Sequence, residues 1–447
     1  MKIPPVKGTR DFYPPEMAVR NFIVDGWKKV SLRNGFEEYD GPIFEYLKMF
    51  QIKSGDEIVE QLFSLTDRGG RDLALRPEIT PTLARMVNQR INALPRPIKW
   101  FSVPRLFRAE RPQKGRLREF FQWNIDIIGT DDVLADAEII FTTIDYLRQV
   151  GLTSEDVKVK MSSRRLLAAV LRTIGICDAA LEPLYALLDK KTKLPEGTFR
   201  ALLAQQVPDS EVAEKIEAFM DVKKISQIKN VVGLDDDVDA AVDELAMVHR
   251  FLREDMEVGE YCKFDPSIVR GLAYYTGVVF EVHAQEGELR AICGGGRYDN
   301  LLCDLGGPSI SATGMGMGDC VLEILLRKKG LVEKELQRQG LDFFVACVPG
   351  ITFDDQDGLV KSTSEDEVVR LTTQLRKKGL CADFSYRSVS LGKQLKQASE
   401  RNAGTCIIIG EEFKDDKIAV KDMTTGEQEL LGYEEFLSNL GIGREEK

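Results

Sequence analysis

The segment from Arg105 to Asp126 holds the densest set of residues able to do chemistry. Arg108 and Glu110 lie two apart in a strand-like run. After a loop containing Pro112 and Gly115, Phe120, Gln122, Asn124 and Asp126 recur at every second position of another. Side chains alternate across a strand, so each set shares a face. One antiparallel pair built this way offers an arginine for phosphate, a carboxylate for an amine, a ring for stacking, and an amide and an acid for a second ligand. Arginine suits phosphate because its planar fork binds two oxygens at once. Arg90, Arg96, Lys99, Arg105, Arg111, Lys114, Arg116 and Arg118 extend the basic block, in a chain whose net charge is −11. An acidic molecule is poorly suited to non-specific nucleic-acid binding, so a local basic block implies a defined anionic ligand.

Other positions are weaker by themselves. Glu78 and Thr80 open a helical pattern and present acceptor oxygens to an ammonium group, although an ordinary helix entry with Pro77 and a capping carboxylate explains them equally well. Tyr274 and Tyr275 follow Arg270 in the strand-like run from Ile268 to Val282. Gly294, Gly295 and Gly296 precede Arg297, Tyr298 and Asp299, and consecutive glycines let a backbone come close to a ligand. The only two histidines, His249 and His283, read as structural, which disfavours a histidine base. Eight scattered cysteines, with no Cys-x-x-Cys pair and no His cluster, argue against zinc and disulfides and suit a reducing cytosol.

A length of 447 residues suggests about three domains. Residues 1–160 mix helix and strand: a helix over 19–32, strands over 98–103 and 120–129, and a helix over 133–150 capped by Asp131 or Asp132. Residues 161–255 are helical in pattern and carry no chemical constellation. Strands return over 268–282 and 290–293, followed by a glycine-rich hairpin and the apolar helix 321–326. These residues, 256–327, complete a core begun by 1–160. A charged linker, 328–340, leads to an α/β domain over 341–447, with strands at 343–348, 382–386 and 405–409 and helices at 365–378 and 391–402 in a mixed or parallel sheet. The fold class is α/β, with an α+β core. Apolar runs are too short to span a bilayer, and the first residues lack the apolar stretch of a signal peptide, so the expected location is cytoplasmic.

Arg108-x-Glu110 and the arginine-rich loop after it resemble motif 2 of class II aminoacyl-tRNA synthetases, and the form running through Arg111, Pro112, Gln113, Lys114, Gly115, Arg116, Arg118 and Phe120 is similar to the histidyl member. The resemblance implies an antiparallel catalytic sheet flanked by helices, a helical insertion, and a C-terminal anticodon-binding domain. It implies that Arg108 holds the α-phosphate of ATP and the amino-acid carboxylate, that Glu110 contacts the adenine amine, and that Phe120 stacks on adenine, with Arg116 and Arg118 also at the nucleotide. The stretch at Glu78, Ile79 and Thr80 is similar to the family's amino-acid loop, which with Gln122 implies a seat for the α-amino group of histidine. The run Arg270 to Tyr275 resembles a peptide found in histidyl enzymes. It implies that Arg270 reaches the reacting carboxylate and α-phosphate, and that Tyr275, beside Tyr274, faces Asp126 across the imidazole. The resemblance further implies Mg²⁺ with ATP, tRNA(His) as partner, and a homodimer formed through the stretch around Gly41 and Pro42. Arg376, Lys377, Lys378, Arg387, Lys393, Lys396 and Arg401 are available for tRNA phosphates.

Two positions depart from the family pattern. Ala273 stands where aspartate is usual, and Val321 stands where motif 3 carries its γ-phosphate arginine. Plant-organelle-type members look similar at both. The departure at Val321 makes Arg116 and Arg118 the first candidates for that contact. It also keeps two non-catalytic readings open: a regulatory subunit of ATP phosphoribosyltransferase, and a tRNA-binding sensor of histidine starvation.

Overall fold

The computed structural model describes residues 3–52, 61–191, 194–233, 235–269, 274–287, 289–336, 340–354 and 361–440. The chain divides into two compact units, Met1–Val332 and Glu333–Lys447.

The strands of the first unit, in chain order, are β1 (Glu37–Glu38), β2 (Phe44–Tyr46), β3 (Ser64–Thr66), β4 (Asp72–Leu75), β5 (Ile98–Ser102), β6 (Arg105–Phe107) and β7 (Glu119–Ile128). They continue as β8 (Val157–Ser163), β9 (Cys262–Phe264), β10 (Val278–Ala284), β11 (Cys293–Tyr298) and β12 (Ala312–Gly318). A central sheet runs β1-β5-β7-β12-β11-β10-β8-β9, with β6 paired to one end of β7. Its middle strands are antiparallel: Asp126 lies opposite Trp100 on one side and Gly314 on the other, and Gly314 lies opposite Gly296. Strands β2, β4 and β3 form a separate small sheet.

The alternation read along β7 sets the two faces. Trp123 lies on the back, under the helix Pro14–Arg33 and the helix Leu134–Gln149. Its ring is stacked 6.3 Å from Trp27 and lies 5.5 Å from Tyr146, and its indole N–H donates to Ser31 at 2.8 Å. Each fully buried side chain of Leu or Phe size contributes about 1.5–3 kcal/mol. That packing offsets the cost of a polar front face, where Gln122, Asn124 and Asp126 lie. The expected helices are present with small shifts in their ends. Of the two candidate caps for Leu134–Gln149, Asp132 is the one used, accepting from the Leu134 N–H at 2.9 Å. Between β8 and β9 the described chain is helical, from Arg164–Thr173 to Asp236–Arg250 and the π-helical turn Phe251–Asp255.

Three expectations need correction. Glycines 294–296 do not form a hairpin; they lie buried inside β11, where a Cβ on Gly295 would meet β12 and one on Gly296 would meet β10. Tyr274 and Tyr275 are not in a strand; they precede β10, which starts only at Val278. Glu110 has left the strand: Arg108 still donates its backbone N–H to Arg118, but the next amide, of Ala109, turns to the carbonyl of Gln61. The charged stretch expected as linker contains the short helix Leu331–Leu336 and the boundary between the two units.

The second unit has β13 (Phe343–Cys347), β14 (Thr352–Asp354), β15 (Lys361–Thr363), β16 (Ala382–Phe384), β17 (Thr405–Ile409), β18 (Lys417–Asp422) and β19 (Gln428–Gly432). The sheet order is β16-β13-β17-β18-β19: the first three strands are parallel and the last two antiparallel. Helix Ser364–Lys377 is capped reciprocally by Thr363 and Asp366 and buries Leu371 and Leu375 on one side of this sheet. Helix Leu391–Glu400 buries Ala398 on the other.

Candidate active site

Asp126, at the centre of β7, is 2% exposed. Its Oδ1 accepts from the Tyr298 hydroxyl at 2.6 Å, and its Oδ2 has no hydrogen-bond partner among the described residues. Burial pushes this carboxyl up to about 7; the Tyr298 hydrogen bond opposes the rise and the nearby Glu78 charge adds to it. Opposite Asp126, Gly314 leaves room for the carboxylate, since a Cβ there would lie 2.1 Å from Oδ1. Glu78 is buried beside it and accepts from the Tyr274 hydroxyl at 3.2 Å. The N-cap residue of the helix Thr80–Arg90 is Ile79, whose side chain makes no capping hydrogen bond. The Ile79 side chain is in the core with Leu83 and Tyr275, which leaves only its backbone to meet a ligand. Thr80 is the helix's first residue.

Aromatic rings flank these carboxylates. The rings of Tyr274 and Tyr275 lie 5.0 Å apart, and those of Tyr274 and Tyr298 5.8 Å. Tyr39 adds another buried hydroxyl without a partner among the described residues; burial, with the Asp126 charge, pushes it up. Gln122 lies in the same row as Asp126, beside Gly316. Tyr39 stands alone in the sequence, and Tyr298 follows a glycine-rich run that gives its ring no pattern of its own. Its neighbours in that run are structural. Arg297 is buried in an ion pair with Asp136, its Nε and Nη2 both donating to Oδ2 at 2.9 and 2.6 Å, and Asp299 accepts from Thr276 and Ser311, which ties the start of β10 to β12.

At the other end of β7, the Arg108 guanidinium lies 5.2 Å from the Phe120 ring, with Nε donating to the carbonyl of Pro77 at 3.1 Å. One residue later in the chain comes Glu78, so nucleotide-type and amine-type groups adjoin. Glu110 and Arg116 form an ion pair with each other. Arg118 Nε donates to the carbonyl of Glu110 at 3.0 Å and its Nη1 reaches that of Lys7, bracing the loop rather than pointing free. The loop turns tightly at Gln113–Arg116, with Gly115 at φ +74°, in the left-handed region that favours glycine. A Cβ on Gly115 would lie 2.9 Å from Val321, so the loop rests on the first turn of helix Asp319–Lys328. From the far end of the chain, the Gly8 carbonyl accepts from the backbone of Arg118, and Arg10 pairs with Asp319 at 2.5 Å. The Asp319 carboxylate in turn accepts from the Phe121 N–H at 3.0 Å. Arg270 and Ala273 lie outside the described residues. No group of three His, Cys, Asp or Glu side chains among the described residues has metal-binding geometry, so the site itself assigns no Mg²⁺ ligand.

Residues 8–318 match the family described as Histidyl-tRNA synthetase, and residues 351–441 match an anticodon binding domain. The chain belongs to the histidyl-tRNA synthetase family. It is 37% identical to the chloroplastic/mitochondrial histidine–tRNA ligase of Arabidopsis thaliana, across 95% of this chain and 84% of that protein. It is also 37% identical to the histidine–tRNA ligase of Opitutus terrae, across 94% and 93%. The fold is that of the histidyl-tRNA synthetase of Nostoc sp. PCC 7120, with a TM-score of 0.81 at 22% identity, covering 98% of this chain and 99% of the other. The two matched ranges together fall in both units of the chain.

Proposed function

We infer that the chain is a histidine–tRNA ligase that activates L-histidine with ATP and passes it to the 3′ end of tRNA(His). The observation that carries this reading is the buried Asp126–Tyr298 and Glu78–Tyr274 pairs beside Arg108 and Phe120. A neutral imidazole offers one N–H donor and one acceptor nitrogen. Asp126 Oδ2 suits the donor, and the Tyr275 hydroxyl, by resemblance to the family, the acceptor. Glu78, Thr80 and Gln122 supply acceptors to the α-ammonium group.

The histidine carboxylate attacks the α-phosphorus of ATP and expels pyrophosphate; the terminal ribose hydroxyl of the tRNA then attacks the adenylate carbonyl and expels AMP. No protein nucleophile is needed, because alignment and charge stabilisation carry the reaction. Arg108, joined by Arg270, meets the carboxylate and α-phosphate; Phe120 stacks on adenine and Glu110 accepts from its amine, with Arg116 and Arg118 shaping the loop above. Mg²⁺ enters as the counterion of the triphosphate.

Histidine-dependent ATP–pyrophosphate exchange by the purified protein tests this reading; no exchange alongside retained tRNA binding would replace it with the starvation sensor. The regulatory-subunit reading is not favoured, since the similarity to histidine–tRNA ligases extends through the anticodon-binding region. Val321→Arg, which restores the usual family residue, is expected to raise the KM for ATP about tenfold in this assay. The Gly115 turn already rests on Val321, and overpacking there displaces the loop at a cost of about 1–3 kcal/mol. An improved KM would show that the missing arginine is a defect rather than part of a rebuilt site.

Assembly as a class II homodimer is supported by exposed apolar side chains beside Pro42: Ile43, Phe44, Tyr46 and Leu65, each about half exposed. Sedimentation velocity is expected to give a dimer for the native protein and a monomer for the Phe44→Asp, Tyr46→Asp double variant. All eight cysteines are free thiols, which supports a cytoplasmic location, and fractionation checks it. No helix among the described residues is long and apolar enough to cross a membrane.

A further inference from the structure

Tyr39 belongs to none of the motifs read from the sequence, yet the sheet brings it toward Asp126. Asp126 lies opposite Trp100 of β5, and Trp100 lies opposite Glu37 of β1. Tyr39 extends that edge by one residue: its N–H donates to the carbonyl of Phe101 at 2.9 Å. Two positions beyond Glu37, it shares the face that carries Trp100 and Asp126. Its ring lies 5.7 Å from that of Trp100, whose indole N–H donates to Glu37 at 3.2 Å. Tyr298 stands on the opposite flank: β11 lies two strands from β7 on one side, and β1 two strands from it on the other. Tyr39 and Tyr298 pack in one buried cluster with Ile79, Tyr274 and Tyr275.

The two flanking hydroxyls are used differently. That of Tyr298 donates to Asp126 Oδ1 at 2.6 Å. That of Tyr39 has no hydrogen-bond partner among the described residues, and neither has Asp126 Oδ2. Tyr39 is 8% exposed and Asp126 2%, so both are shut away from bulk water. These groups lie within electrostatic reach of one another: burial pushes the Tyr298 hydroxyl up, and the Asp126 charge and hydrogen bond, Tyr39 and Tyr275 add to the rise. Burial and the Asp126 charge likewise keep Tyr39 protonated. A buried hydroxyl left unpaired costs free energy that phenylalanine would avoid, so packing alone does not account for a tyrosine here. Two unpaired polar atoms in one buried cluster are explained together by one polar ligand.

We propose that Tyr39 is a specificity-determining residue of the histidine pocket, its hydroxyl joining Asp126 Oδ2 in holding the N–H of the imidazole. The hydroxyl oxygen is a second acceptor for that N–H, and its own proton is left for the carboxylate. A ring without an N–H leaves both buried groups unpaired, and a site rejects an analogue the more strongly the more buried polar groups it strands. The proposal rests on the reading of the chain as a histidine–tRNA ligase.

Pyrophosphate exchange by full-length Tyr39→Phe tests it. The KM for histidine is expected to rise about three- to tenfold, the usual loss for one hydrogen bond, with kcat and the KM for ATP unchanged. The inhibition constant of 2-thiazolylalanine, in which sulfur replaces the ring N–H, should barely move, so the preference for histidine falls by the same factor. Without ligand the variant should melt at the native temperature or above it, because the hydroxyl it loses has no partner in the folded chain; the rise in melting temperature on adding histidine should be smaller than in the native protein. An unchanged KM for histidine overturns the proposal whatever the melting temperature, and so does an equal loss of affinity for histidine and thiazolylalanine. A native protein without histidine-dependent exchange overturns the ligase reading instead.

Discussion

Asp126→Asn is expected to abolish histidine activation and, above neutral pH, to make the protein more stable. The two effects have one origin. The folded chain keeps the Asp126 proton up to about pH 7 because burial outweighs the Tyr298 hydrogen bond, whereas an unfolded aspartate releases it near 4. Between those values the folded state binds more protons than the unfolded state, so stability falls as pH rises through the window. About three pH units at about 1.4 kcal/mol each give a penalty on the order of 4 kcal/mol, complete by pH 8. Asparagine has nothing to ionise and can still accept from Tyr298. Denaturant unfolding should show Asp126→Asn gaining stability over the native chain at pH 8, about a third of that gain at pH 5 and little or none at pH 4; equal differences at pH 8 and pH 4 would refute the assignment. The functional loss follows because the amide turns an N–H toward a ligand that needs an acceptor. Sites built to bond a polar group discriminate strongly when the pairing fails, so the KM for histidine should rise at least about a hundredfold. Tyr298→Phe removes the one donor that opposes the rise, so the pH at which histidine affinity is gained should move up.

Arg108→Ala is expected to lower kcat for pyrophosphate exchange about a thousandfold with the fold intact. Charge develops on the α-phosphate as the pyrophosphate departs, and a prepositioned donor in a half-buried site is worth about 10²–10³ in rate, more for an arginine at phosphate. Arg108 is prepositioned from two sides, by the Phe120 ring and by the carbonyl of Pro77. Lysine cannot reproduce the planar fork, so Arg108→Lys should recover little. Histidine binding without ATP, measured calorimetrically, distinguishes this from collapse of the neighbouring Glu78 loop: a variant that binds histidine normally yet exchanges within tenfold of native would remove Arg108 from the chemistry.

How far these residues could be read in advance depended on how local their signals are. The strand Glu119–Ile128 is ten residues of clear alternation, so its two faces, and with them Phe120, Gln122 and Asp126, were visible without a structure. Helix Leu134–Gln149 was legible from apolar residues at helical spacing, and strand Thr405–Ile409 from a short continuous apolar run. Tyr298 was not, because its meeting with Asp126 requires β12 to lie between their strands, and three glycines in a row argue against a strand by propensity. Close packing of β10, β11 and β12 overrides that propensity. Tyr274 and Tyr275 misled in the opposite direction: aromatic and β-branched neighbours suggested a strand that begins only at Val278. Strands β18 and β19 carry no such apolar run: they lie at one side of the sheet, with the edge strand β19 largely exposed, and are joined by a turn through Gly426. Arg10 and Gly8 carry no pattern at all; only the folded chain brings them to the Arg118 loop and Asp319.

That last contact sets a clock on synthesis. Arg10 and Asp319 are 309 residues apart, and at roughly 5–20 residues per second a ribosome takes roughly 15 to 60 s to travel between them. Throughout that interval the opening segment of each nascent chain has no partner for its arginine, and the loop it braces has no helix to rest on. Catalytic competence therefore arrives late and all at once, when the last strand of the central sheet and the helix after it emerge, and a chain interrupted before that point holds most of the ligand-facing residues without a working site.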